Sequence, residues 1–260
     1  MTLEAVFVQA GARFRATELA RGPWDPGALH GGAPAALLAR EFERCEPNPE
    51  LALARITYEF VRPVPLGELS VSAEVVRPGR RVSLLEGSIS DESGTVVARA
   101  RALRVRPSAV GEAVSAPPPF PGPEAGRPND FRRQAFAMFS PDAIEIRFVE
   151  GEFYGLGPAT AWFRMRHPIV AGEPLSPLQR LAAASDFGNG ISSVLSWSEH
   201  IFINPDLTLY VEREPRGEWV ALQSESRVTE GSVAIAESVL WDQWGRIGRA
   251  TQALLVSRLD

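Results

Sequence analysis

Residues 56–76, ITYEFVRPVPLGELSVSAEVV, and residues 207–227, LTLYVEREPRGEWVALQSESR, follow the same order of residue types, and this order decides the fold. Each stretch has Thr in the second place, an Arg near the end of an apolar run, and a Gly-Glu pair before a new run. Between Leu69 and Val75 every second residue is apolar, which is the period of a half-buried β-strand. Two copies of one supersecondary pattern predict a duplicated domain.

A helix is predicted ahead of the strands in each half. The first, near residues 33–44, begins near Pro34, because proline suits the first helical turn, and it buries Leu37, Leu38 and Phe42. The second, near residues 177–186, begins with Ser176 as N-cap and Pro177 as the first helical residue.

Later in each half, turn sequences separate strand-like runs. The tetrapeptides are DESG at residues 91–94 and DQWG at residues 242–245, which favour antiparallel hairpins. A single helix must be covered by the apolar face of the sheet that follows it. The predicted fold is therefore α+β: a double hot-dog, with two antiparallel sheets that each wrap a central helix.

The segment from about 107 to 130 interrupts these patterns, since it is rich in Pro, Gly, Ala and Ser and contains three consecutive prolines at 117–119. Such a segment cannot form a helix or a central strand, and it is typical of a semi-rigid surface linker. We predict an N-terminal hot-dog domain at 1–107, a Pro-rich linker at 108–132, and a C-terminal hot-dog domain at 133–260.

Composition excludes several functional classes. The net charge of −5 argues against a nucleic-acid partner, whose phosphates need a basic surface. The chain has no Lys, which excludes a Schiff-base or P-loop lysine. One Cys and three scattered His residues give no zinc-ligand spacing, so we expect no metal and no disulfide. Without a signal-peptide pattern or a membrane-spanning apolar run, we expect a cytoplasmic protein that does not bind membranes.

Four short motifs, in order along nearly the whole chain, resemble the type II acyl-CoA thioesterases. They are GPWDPGALHGGAPAALLAR (22–40), AASDFGNG (183–190), INPDLTLYVER (203–213) and ATQALLVSR (250–258). The resemblance implies hydrolysis of an acyl-CoA thioester to a free acid and CoA, with no cofactor because CoA is part of the substrate. It implies a catalytic group of Asp186, Asn204 and Gln252, although Asn204 stands where the best-known members have Thr. Either side chain can hydrogen-bond a water molecule.

Thioester hydrolysis needs an activated water, a base for its proton, and donors for the developing oxyanion. Asp186 at the end of the second helix would be the base, and the amides of Asn204 and Gln252 would orient the water. Each residue also has a structural interpretation. Asp186 could cap the turn that follows its helix, Gln252 could be a buried amide bonded to a backbone carbonyl, and Asn204 before Pro205 could be a turn residue.

The His30-Gly31-Gly32 sequence before the first helix is a candidate oxyanion and substrate-binding site. Glycines let a substrate approach the backbone, and amides at a helix N-terminus carry partial positive charge. Alternatively, the glycines only shape the turn and His30 packs or caps. The sequence assigns no carboxylate and no Ser or Cys nucleophile to His30, so a catalytic triad is not predicted.

Two other functions remain open from the sequence. Asp25 and His30 have the spacing of an Asp-His pair found in hot-dog acyl-CoA hydratases and dehydratases, but the residues around them depart from that motif. A non-catalytic acyl-CoA-binding protein is the second alternative, because function resides in the site and not in the fold. We expect an acyl-CoA partner and a homo-oligomer, with a dimer favoured.

Overall fold

The computed structural model describes residues 4–45, 48–108, 120–129, 136–231 and 233–259, and these form three α-helices and fourteen β-strands. The helices are α1 (Gly32–Cys45), α2 (Pro177–Ser185) and α3 (Gly188–Ile191). The strands of the first half are β1 (Phe7–Ala10), β2 (Arg13–Ala16), β3 (Ala52–Phe60), β4 (Glu68–Arg77), β5 (Val82–Ser90) and β6 (Val96–Val105). The strands of the second half are β7 (Arg127–Pro128), β8 (Ile144–Glu150), β9 (Ala159–Met165), β10 (His200–Ile203), β11 (Asp206–Val211), β12 (Trp219–Arg227), β13 (Ala234–Asp242) and β14 (Gly245–Arg258).

The strands form one continuous antiparallel sheet in the order β1-β2-β4-β5-β6-β3-β11-β14-β13-β12-β9-β8-β7, and β10 pairs with the far end of β14. From the centre outward, the first half reads β3-β6-β5-β4 and the second half reads β11-β14-β13-β12. This mirrored order is what a duplicated supersecondary unit produces, and the halves meet where Thr57 of β3 pairs with Thr208 of β11.

The junction corrects one part of the predicted fold. The sequence predicted two antiparallel sheets, but the β3–β11 pairing joins the strands of both halves into a single sheet. An edge strand leaves a row of unpaired N–H and C=O groups, and pairing two edges satisfies both rows. The sheet is therefore continuous across the boundary between the halves.

The two longer helices pack against each other, and α1 also contacts β4 and β5 while α2 contacts β9 and β12. In α1, Leu37, Leu38 and Phe42 are fully buried, which confirms the predicted core face. In α2, the Ser176 side chain accepts a hydrogen bond from the Gln179 amide at 3.1 Å and Pro177 is the first helical residue, so the predicted N-cap is also confirmed. Of the helices described, none is long and apolar enough to cross a membrane.

The two predicted hairpin turns form where the sequence placed them. Residues 91–94 connect β5 to β6 and residues 242–245 connect β13 to β14, as predicted. Asp91 accepts hydrogen bonds from the amides of Ser93 and Thr95, at 2.9 and 3.0 Å, and Gly94 has a positive φ of 84°. A carboxylate that closes the turn, followed by a glycine in the left-handed region, is a local arrangement that a short sequence can specify.

The predicted linker, 108–132, lies partly outside the described residues, which omit 109–119 and 130–135. Its described part also contacts side chains of the second half. The Phe120 ring stacks on Trp241 at 4.4 Å, and the Trp162 indole donates to the Pro121 carbonyl at 2.9 Å. This part of the segment packs on the sheet of the second half.

Candidate active site

The centre of the site is the Asp186 carboxylate, at the C-terminal end of α2. Asp186 is the C-cap residue of this helix and is only 5% exposed. A buried carboxylate needs hydrogen-bond donors around it, because the loss of hydration would otherwise cost several kcal/mol. Asp186 has polar partners on three separate parts of the chain.

Asn204 reaches Asp186 from the break between β10 and β11. Its Nδ2 donates to Asp186 Oδ1 at 2.8 Å and to the Asp206 carbonyl at 3.1 Å. Both partners are acceptors, so they determine which way the amide faces. The Asn204 carbonyl oxygen is then left to accept a hydrogen bond from another group.

Gln252 lies on β14 and is 1% exposed. Its Nε2 is 3.3 Å from both the Asp186 carbonyl and Asp186 Oδ1, while its Oε1 accepts from the Asn189 amide at 3.1 Å. The side chain therefore connects the last turn of α2 with the start of α3. Both ends of the amide are bonded to protein, so Gln252 holds Asp186 in place.

His30 approaches Asp186 from the loop before α1. Its Nδ1 lies 3.1 Å from Asp186 Oδ2, and the Gly32 amide donates to the same nitrogen at 3.1 Å. One nitrogen cannot accept one proton and donate another at the same time, so these contacts belong to two protonation or tautomeric states of the ring. The imidazole packs against the rings of Phe139 and Phe187, with ring centroids 5.0 and 4.4 Å away.

The two glycines after His30 have different surroundings. A Cβ on Gly31 would lie 2.7 Å from Asp186 Oδ2, so the missing side chain is what lets the carboxylate approach. A Cβ on Gly32 would lie 2.5 Å from the Ala183 carbonyl, so this glycine lets α1 pack closely on α2.

Of the predicted pair, Gly31 lines the cavity beside the site, whereas Gly32 is not among the lining residues and its amide is bonded to His30. The expectation that both amides face the substrate is therefore corrected for Gly32.

A cavity of 480 Å³ opens beside these residues, and His30, Gly31, Asp186 and Asn204 form part of its wall. Most of the remaining wall is apolar, with the aromatic rings of Trp24, Phe60, Phe153, Tyr154, Trp197 and Phe202. Trp197 stacks on Trp24 at 5.0 Å and on Phe153 at 5.7 Å, and Phe202 meets its edge at 4.9 Å. A concave, largely apolar space with a few polar groups at one end is typical of a small-molecule site.

The model of the acyl-CoA thioesterase C-terminal domain matches residues 114–256, more than half of the chain, and the model of the N-terminal domain matches residues 20–105. The chain belongs to the acyl-CoA thioesterase family. It is a thioester hydrolase that acts on acyl-CoA. A search of curated proteins found no match to this thioesterase.

Solved structures agree on the fold. A candidate thioesterase II from Thermobifida fusca is 18% identical with a TM-score of 0.73, and the match covers 97% of this chain and 95% of that one. A hot-dog-fold protein of unknown function from Alicyclobacillus acidocaldarius is 17% identical, with a TM-score of 0.70 and coverage of 98% and 96%. The acyl-CoA thioesterase II TesB2 of Mycobacterium marinum is 18% identical, with a TM-score of 0.65 and coverage of 96% and 93%. At these identities the similarity shows a hot-dog fold.

The geometry answers two questions that the sequence left open about the thioesterase. Asn204 and Gln252 each bond directly to Asp186, although 66 residues separate Asp186 from Gln252. His30, for which the sequence analysis found no carboxylate, has Asp186 as its partner. His30 and Asp186 lie far apart in sequence, so no local sequence pattern could have indicated that they pair.

The Asp25–His30 pair of the hydratase alternative does not form. Asp25 Oδ1 accepts from the Gly27 amide at 2.7 Å, within its own turn. Among the described residues, no hydrogen bond or ion pair joins Asp25 to His30. In the same part of the chain, no cluster of three or more His, Cys, Asp or Glu side chains is arranged to hold a metal ion.

Three contributors to the site were missed by sequence reasoning. Asn189 holds Gln252 through its backbone amide, which no side-chain motif can indicate. Gly188 makes room for the same amide, because a Cβ there would lie 2.8 Å from Gln252 Oε1. Asp206 is bonded to the Ala253 amide at 2.7 Å, and burial raises the pKa of its carboxyl. All three lie inside motifs that the sequence showed, Gly188 and Asn189 in AASDFGNG and Asp206 in INPDLTLYVER, but nothing in either motif indicated their contacts.

Proposed function

We propose that this thioesterase hydrolyses the acyl-CoA thioester with a water molecule activated by Asp186. The observation that carries the proposal is the pair of amide donors, Asn204 and Gln252, on one buried carboxylate at the polar end of an apolar cavity. Asn204 and Gln252 both bond to Oδ1 of Asp186 and hold it in one orientation. A carboxylate held this way can take a proton without first reorganising its surroundings.

The water would donate one hydrogen bond to Asp186 and one to the free carbonyl oxygen of Asn204. Its lone pair would then face the thioester carbon in the cavity. Attack forms a C–O bond while Asp186 takes the proton, and the carbonyl oxygen becomes an oxyanion. The C–S bond then breaks, the sulfur leaves as the CoA thiol with the proton from Asp186, and the acid is released. No cofactor is needed for these steps.

Gly31 and His30 are the proposed groups for the oxyanion and the substrate. Gly31 lines the cavity at the start of α1, where backbone N–H groups are oriented toward the loop end of the helix. In the tautomer whose Nδ1 accepts from Gly32, His30 carries its proton on Nε2 and has one donor left for substrate. Gln252 takes a smaller part than expected from the sequence, since it holds Asp186 and leaves the water to Asn204.

The finer description of the fold belongs to this proposal. We interpret the chain as a double hot-dog whose N-terminal half is 1–107 and whose C-terminal half is 133–260, joined by 108–132. The mirrored strand order about β3 and β11 supports this division. A cytoplasmic location and a homodimer remain predictions from the sequence.

The test measures CoA release and enoyl-CoA hydration in parallel, for the wild type and for Asp186→Asn. Loss of a general base costs about 10²–10⁴ in rate, so the variant should lose most hydrolysis. It should still bind acyl-CoA by calorimetry, since the side chain keeps its size. Asp91→Asn, in the exposed β5–β6 turn, is the matched control. Hydration without CoA release would favour the hydratase, and binding without turnover would favour the non-catalytic protein.

A further inference from the structure

The sheet is interrupted at the point where Asn204 enters the site. Strand β14 pairs with β11 up to Thr251, opposite Thr208, and with β10 from Leu255, opposite Ile203. Between these two ladders, residues 204–207 lie opposite residues 252–254, so the two sides differ by one residue. Such a bulge turns a side chain out of the regular alternation, and it leaves backbone groups without a ladder partner.

Asp206 makes hydrogen bonds to both sides of this bulge, one through its side chain and one through its backbone. Its carboxylate Oδ1 accepts from the Ala253 amide at 2.7 Å, and its backbone carbonyl accepts from Asn204 Nδ2 at 3.1 Å. Ala253 is the residue directly after Gln252. Asp206 is therefore bonded to the strand that carries Gln252 and to the side chain of Asn204, which are the two amides that hold Asp186.

The negative charge of Asp206 is unfavourable where its carboxylate bonds to the backbone. Burial raises the pKa of its carboxyl, the negative charge of Glu59 acts in the same direction, and the Ala253 hydrogen bond opposes both. A neutral group with an oxygen acceptor at the same position would keep the hydrogen bond without the burial of a charge. A substitution by Asn therefore removes the charge and keeps the acceptor, so the two contributions of Asp206 can be tested separately.

We propose that Asp206 is a positioning residue for thioester hydrolysis, which acts by fixing Asn204 and Gln252 against Asp186. It has no contact with the reacting atoms in this arrangement. The inference rests on the proposed role of Asp186. It adds Asp206 to Asn204 and Gln252 as a residue whose removal changes the position of the Asp186 carboxylate. A small displacement in a site of this kind, about 1 Å, can cost about 10²-fold in rate.

The experiment compares Asp206→Ala with Asp206→Asn, and Asp91→Ala is the matched control. Asp91 also accepts two backbone amides, but in an exposed turn away from the cavity. We expect Asp206→Ala to lower kcat by about 10- to 100-fold with KM within about threefold of the wild type. Asp206→Asn should restore kcat to within about threefold, because its side-chain oxygen still accepts the Ala253 proton. Asp91→Ala should lose stability and keep kcat.

A direct structural measurement accompanies the kinetics. The Ala253 amide should exchange its hydrogen faster in Asp206→Ala than in the wild type, and at the wild-type rate in Asp206→Asn. If Asp206→Ala does not fold, Asp206→Ser, which has a shorter side chain that cannot span the same distance, takes its place with the same expected results.

Several outcomes would overturn the inference. Asp206→Ala with wild-type kcat would show that the contacts are structural only. An equal loss in Asp206→Asn and Asp206→Ala would show that the charge matters and the acceptor does not. If the wild type hydrolyses acyl-CoA and Asp186→Asn does not, such results reject the role of Asp206 alone. A wild type without hydrolytic activity would reject both proposals.

Discussion

The Asp186 carboxylate lies directly against the backbone of Gly31, where a Cβ would come within 2.7 Å of Oδ2. No side chain fits at this position while Asp186 keeps its bonds to Asn204 and His30. Gly31 is thus required by the placement of the Asp186 carboxylate, in addition to the part proposed for its amide in binding the thioester oxygen.

Gly31→Ala should therefore reduce kcat by about 10²-fold, because the methyl group displaces Asp186 from its donors. Steady-state kinetics with one acyl-CoA substrate would measure the change. Gly27→Ala is the control in the same loop, since its Cβ would meet Asp25 Oδ1 only at 3.4 Å, an ordinary contact. Wild-type kcat in Gly31→Ala would mean that Asp186 can move without loss and that its position is not critical.

Gln252→Ala should lower both stability and activity. The substitution leaves the buried Asn189 amide without its acceptor, which costs about 1–3 kcal/mol of unfolding free energy. The rate should fall less than in Asp186→Asn, because Gln252 holds the base and transfers no proton. Chemical denaturation and kcat measured on the same preparations would test both parts. A larger loss of rate in Gln252→Ala than in Asp186→Asn contradicts the assigned roles.

The aromatic wall of the cavity should determine how well an apolar acyl group binds. Trp197→Ala removes the ring between Trp24 and Phe153, so kcat/KM for decanoyl-CoA should fall about tenfold, with a smaller effect for acetyl-CoA. Trp244→Ala, at a 57% exposed tryptophan outside the cavity, is the control. An equal loss for both substrates would place the acyl group elsewhere.

Glu43 on α1 stands where Asp186 stands after α2, since each lies nine residues after the proline of its helix. Its surroundings differ, because Ser176 and Gln179 donate to Oε2 at 2.9 and 3.3 Å and it does not line the cavity. Burial raises the pKa of this carboxyl above its usual value. The folded state therefore binds the proton more tightly than the unfolded state does.

This raised pKa has a consequence for stability. The contribution of Glu43 is fully present below the unfolded-state pKa of Glu, and it is lost as pH rises through the higher folded-state value. Glu43→Gln cannot ionise, so its unfolding free energy relative to the wild type should increase with pH over this range. Urea denaturation of both proteins at a series of pH values would measure the difference. A difference that does not change with pH would show that the carboxyl is not perturbed.

Much of the framework followed from local sequence. The N-cap at Ser176, the buried Leu37 and the two hairpin turns were all predicted, because capping, periodicity and turn chemistry act within a few residues. The first helix begins at Gly32, two residues before the predicted Pro34. The three residues named for catalysis came from a resemblance in motifs. Periodicity alone would have left Asp186 and Gln252 as a helix cap and a buried amide.

The sequence by itself determined the two longer helices, the two hairpin turns and the repeated order of one helix followed by strands, since each depends on neighbours along the chain. The tertiary structure decided that β3 and β11 join the halves into one sheet, that His30 meets Asp186, and that Asp206 closes the break beside Asn204. These contacts connect segments that are far apart in sequence. They exist because packing and hydrogen-bond satisfaction are settled for the whole sheet and both helices together, and a short stretch of sequence cannot specify that outcome.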